Sequence, residues 1–208
     1  MRARRAIVVA VLTLIVTSSR SLASDVELSG AEGHPRARFP LAVYVLMTIG
    51  EAPLDAAAQR AVRDWNTLFQ EALGVKAFAV VADPADAQVV VTFESRESSR
   101  VMGETQLGTD ESGLIALPVQ VAVFEPKARG QTAPDVLLYQ VLAHELGHAL
   151  GLAHVRNPRS VMCCVRGGLD FNNQGARDAY VEARRHPDLR SVRAQLVQHY
   201  ERFWRTRR

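Results

Sequence analysis

The chain has 208 residues, of which 48% are hydrophobic, 23% charged and 6% aromatic. That balance fits a folded globular protein and excludes a long disordered chain, a collagen-like repeat and a multi-span membrane protein. The formal charge of +3 comes from Arg2, Arg4, Arg5 and Arg20, since the rest of the chain carries 21 basic and 22 acidic side chains; nothing in that balance argues for nucleic-acid binding.

The three leading arginines precede an apolar run of 11 residues (6–16) and a small, polar stretch that ends in Ser21-Leu22-Ala23. This order predicts a secretory signal at 1–23, cleaved after Ala23. The apolar run is too short for the roughly 20 residues of a membrane-spanning helix. The expected destination is the periplasm or the medium, with no membrane attachment after cleavage.

Residues 24–38 are polar, contain Gly30, Gly33 and Pro35, and read as a flexible leader. Residues 39–47 are a strand candidate. Over 55–73 the apolar positions Ala58, Ala61, Val62, Trp65, Leu68, Phe69 and Leu73 form one helical stripe, with Asp55 as N-cap and Gly74 as C-cap. Strands follow at 75–82 and 88–93. Residues 94–113 are polar and glycine-containing and read as a long loop. Short strands at 114–117 and 119–124 flank Pro118, which places them at a sheet edge or bulge. A helix capped by Thr132 runs to Leu150 and stops at Gly151. After an aperiodic stretch, helical patterns return at 173–185 and 189–204, with Pro187 between them. The Arg-rich end from Arg184 reads as a solvated helix face. This order predicts an α+β domain over 39–208, a twisted mixed sheet with helices against it.

The chemistry is concentrated in His144-Glu145-Leu146-Gly147-His148-Ala149-Leu150-Gly151-Leu152-Ala153-His154. On a helix, His144 and His148 lie one turn apart on one face. Gly151 accepts the left-handed backbone that reverses a chain, and that turn can return His154 as a third ligand. Three His and a water make an open, catalytic type of zinc site. Glu145 can reach that water without being a ligand itself. A closed structural site would need a fourth protein ligand, for which Cys163 or Cys164 is the candidate.

This stretch, followed by Ser160-Val161-Met162, resembles the metzincin clan of zinc endopeptidases and is most similar to the matrixin branch. The resemblance implies a metzincin-like zincin fold with an active-site helix, Met162 as the Met-turn residue beneath the ligands, and one catalytic zinc ion held by His144, His148 and His154. It implies peptide hydrolysis with Glu145 as general base on a zinc-activated water. Residues 87–93 resemble the family's central strand. Gly113, Leu114, Ile115, Ala116 and Leu117 resemble the edge strand that binds substrate. The expected partner is a protein or peptide.

There are departures from the family pattern. No Cys precedes Cys163, so the Cys-containing inhibitory leader is missing. His occurs only at positions 34, 144, 148, 154, 186 and 199, so the family's His-rich structural zinc site is expected to be absent. Cys164 stands where some metzincins carry a Tyr. The adjacent Cys163 and Cys164 can form a vicinal disulfide or remain two small buried thiols. Asp83, Asp86, Asp110 and Glu111 match no calcium-loop spacing, so calcium is unsupported and they read as solvated acids. His34, His186 and His199 read as surface residues. The alternative to a peptidase is a non-catalytic exported zinc-containing binding protein on the same fold, and the intact Glu145 argues against it.

Overall fold

The computed structural model describes residues 28–46, 51–94, 102–125, 132–165 and 167–207. The signal expected at 1–23 and its expected cleavage site lie outside them. The elements are β1 (Leu41–Val45), α1 (Ala52–Leu73), β2 (Phe78–Val80), β3 (Val89–Glu94), β4 (Gly103–Gln106), β5 (Val119–Phe124), α2 (Pro134–Ala149), α3 (Gln174–Arg185) and α4 (Arg193–Arg205).

The five strands form one sheet in the order β2-β1-β3-β5-β4. Only β4 runs antiparallel to its neighbour. Alternating side chains explain its buried face: Val43, Val89 and Val119 form one row across three strands, and Val91 and Val121 the next. The intervening Ala42, Val90 and Gln120 are partly or fully exposed, as expected of a sheet with one packed face.

Helix α1 buries Ala58, Ala61, Val62, Trp65, Leu68 and Phe69 from its stripe. It starts at Ala52, a turn ahead of Asp55, because Pro53 suits the first helical turn. The Trp65 indole donates to the Ala143 carbonyl at 2.9 Å, fixing α1 against α2. Helix α2 is buried on nearly all sides from Leu137 to Ala149, which accounts for its apolar sequence. Its N-cap is Ala133, with Pro134 following and no side-chain cap, so Thr132 does not play the expected part.

Two expectations are corrected here. Residues 28–38 are built into the fold. Gly33 N–H donates to Gly113 O at 3.0 Å, Ile115 N–H to Gly33 O at 3.1 Å, and the Trp204 indole to His34 O at 3.0 Å. The rings of Phe39, Phe69, Tyr200 and Trp204 pack together, and this aromatic cluster joins the start of the domain to α4. The stretch expected as one long loop contains β4, while 113–117 lies outside the sheet and makes isolated bridges through Leu114 to Gly33 and through Ile115 to Thr109.

Candidate metal centre

Helix α2 carries His144 and His148 one turn apart. Gly151 follows at φ +87°, and its N–H donates to His148 O at 2.8 Å while Leu152 N–H donates to Gly147 O at 2.9 Å. The chain turns back and His154 arrives beside the first two rings. The three Nε2 atoms lie 3.1, 3.1 and 3.2 Å apart. A tetrahedral ion with bonds of about 2.0–2.1 Å would set its nitrogen ligands at about 3.3 Å, so the triangle fits such an ion.

The tautomers agree. His144 Nδ1–H donates to Val161 O and His148 Nδ1–H to Leu152 O, both at 2.8 Å. Each ring then turns an Nε2 lone pair inward. Lone pairs facing each other at this distance repel unless a cation lies among them. Burial, and then the neighbouring His148 ring, holds the His144 pKa well below its ordinary value. Burial, and then His154, takes His148 down to about 4. Both rings are therefore neutral, ligand-ready imidazoles at neutral pH. His144 and His148 are half-buried and His154 is exposed, so the cluster opens to solvent.

Met162 is fully buried and lies against Gly147, where a Cβ would collide with its sulfur. Its turn is held by Ser160 Oγ, which accepts from Met162 N–H at 3.1 Å, and by Val155 N–H, which donates to Met162 O at 3.0 Å. The turn that places Met162 thus also presents Val161 O to His144. Cys163 and Cys164 are bonded to each other, and the possible metal ligands that converge here are the three His alone among the described residues.

A model of the matrixin family matches residues 44–169. This chain belongs to the matrixin family. The family is one of zinc-dependent metallopeptidases, and the match covers α1, β2, β3, β4, β5, α2 and all three His of the cluster in this matrixin. No curated protein matches the chain.

Much of what holds the cluster lies outside the matched stretch. A helix end leaves carbonyls without intrahelical partners, and here side chains from both ends of the domain meet three carbonyls around the reversal. His34 Nε2–H donates to Ala149 O at 2.9 Å, Tyr200 Oη–H to Leu150 O at 2.6 Å, and the Gln195 amide to Ala153 O at 2.8 Å. None of the three stood out in the sequence. His34, expected on the surface, is wholly buried, and burial takes its pKa down to about 4. His199 is half-buried, and His186 is exposed as expected.

Glu145 is 6% exposed. Its Oε2 accepts from Thr105 Oγ1 at 2.7 Å, and the same hydroxyl lies 3.0 Å from Glu145 O. Thr105 is on β4, which sequence reasoning left in a loop. The five residues 113–117 do not form the outer strand: Ile115 is buried, its carbonyl accepts from Arg38 at 2.7 Å, and the Asp110 carboxylate caps the turn before it. Asp83 likewise caps a turn, accepting from Ala85 N–H at 2.8 Å.

Proposed function

We propose that this matrixin is an exported zinc endopeptidase. The observation that carries the reading is the triangle of Nε2 atoms with Glu145 next to one of its corners in sequence. His144, His148 and His154 would hold the zinc. When bound, zinc supplies a Lewis acid that polarises a carbonyl and makes water a nucleophile near neutral pH. Glu145 takes the proton of the attacking water and passes it to the leaving amine. Met162 gives the cluster a dry floor.

The peptide is captured on β4 rather than on Gly113, Leu114, Ile115, Ala116 or Leu117. Opposed residues in an antiparallel ladder alternate between hydrogen-bonded and open pairs. Phe124 N–H donates to Met102 O at 2.9 Å, which makes that pair a bonded one. By the register, Glu104 then faces Ala122 in a bonded pair, and Gly103 and Thr105 turn their N–H and C=O groups outward. Those groups suit the backbone of an extended peptide adding as a strand.

The test is digestion of a mixed peptide library by the purified mature chain, with and without a chelator. Chelator-sensitive internal cleavage is expected, and it should vanish in Glu145→Ala with zinc retained. No cleavage by the zinc-loaded wild type would favour the non-catalytic binding protein. Export is tested separately by mass spectrometry of the mature N-terminus, expected at Ser24; an intact Met1 terminus would contradict it.

A further inference from the structure

The peptidase reading assigns the base but leaves open what aims it. Strand β4 passes over α2 with Gly103 and Thr105 on one face, two residues apart. At Gly103 a Cβ would stand 2.8 Å from both Glu145 Cγ and Oε1 and 2.7 Å from Val141 Cγ1. The strand therefore approaches the Glu145 side chain as closely as backbone allows. Two residues on, the Thr105 hydroxyl donates to Glu145 Oε2 at 2.7 Å. A hydroxyl donor to a carboxylate is a short, charge-assisted bond with a preferred direction, and it fixes one oxygen of a side chain that otherwise has three torsions to settle.

The geometry points to Thr105 as the positioning residue for Glu145, with β4 joining peptide docking to the aim of the base. Its outward backbone groups serve the peptide while its side chain grips the carboxylate. One strand thus sets both the height of the scissile bond and the orientation of the group that takes the proton. The inference rests on the peptidase reading and names a residue that acts through Glu145, not on substrate.

The experiment compares wild type with Thr105→Val, Thr105→Ala and Thr105→Ser on one peptide found in the library digestion. Zinc content and melting midpoint are measured alongside kcat and KM. Val keeps the shape and strand preference of Thr and removes only the donor. The expected result is a fall in kcat of roughly 10- to 100-fold in Val and Ala, the scale of a misaimed catalytic group. KM should stay within about twofold, because the outward backbone is unchanged. One zinc per chain should remain, and Ser should recover most of kcat. Wild-type kcat in the variants without a hydroxyl would overturn the assignment. So would a loss that comes with lost zinc or unfolding, a change confined to KM, or no recovery in Ser, since each makes Thr105 structural. If wild type cleaves nothing, or Glu145→Ala cleaves as wild type does, the peptidase reading itself has failed, and that outcome is separate from any result at Thr105.

Discussion

The ligand segment from His144 to Met162 and the shell that grips it are built by different rules. The ligands are placed by local geometry: a helical repeat of four, a left-handed glycine and a short return. The shell is assembled from far away in the chain. His34, Thr105, Gln195 and Tyr200 each put one polar atom on the helix end, on Glu145 or on the reversal. The comparison teaches that a motif can supply the donors for an ion while the precision of the site depends on residues that no motif contains.

Four changes would break or sharpen that comparison, the largest first. His154→Ala removes a ligand and should weaken zinc affinity by more than about a hundredfold, beyond the 10- to 100-fold typical of outer-shell changes; chelator competition measures it. Next is a pH effect from His34. Its pKa is about 4 in the folded chain against an ordinary 6.5, owing first to burial, with Arg38 and His199 adding to it and the bond to Ala149 opposing. Above pH 6.5 both states are neutral and stability is full. As pH falls from 6.5 towards 4, the unfolded chain takes the proton and the folded one does not, so stability drops by about 3 kcal/mol. In urea unfolding the stability of wild type minus that of His34→Gln should carry that slope, because His144 and His148 titrate in both proteins and cancel in the difference.

Gly151→Ala comes third. A Cβ at φ +87° would meet Glu32 O, and strain of this kind costs on the order of 2 kcal/mol. Calorimetry should show a lower melting midpoint, with zinc affinity falling alongside. Tyr200→Phe is the smallest change. It removes the donor to Leu150 O and should cost about 1 kcal/mol in urea unfolding. A cost near zero would mean that Tyr200 contributes apolar packing alone.

The sequence made the metal cluster legible because its spacing is local. The helical stripe of α1, the Gly74 stop, and the valine-rich β3 and β5 were legible for the same reason. Strand β4 was not. Gly-Glu-Thr-Gln has no apolar alternation, because an edge strand over a helix buries little side chain and draws its order from β5 and from the Glu145 contact. The rival segment Leu-Ile-Ala-Leu looked more like a strand, yet Ile115 is buried in a loop tied to the leader. The leader was misread because polar, glycine-containing composition says nothing of backbone groups that find partners 80 residues away. His34 carried no signal at all: a lone His reads the same on a surface or beneath a helix end.

The central claim is that three imidazoles and no sulfur hold one ion with a position left open. Zinc-edge X-ray absorption on the mature, zinc-loaded protein tests it directly. The account predicts one zinc per chain with three imidazole nitrogens and one light oxygen at about 2.0–2.1 Å. A sulfur scatterer at about 2.3 Å, or a chain that takes up no zinc, would contradict it.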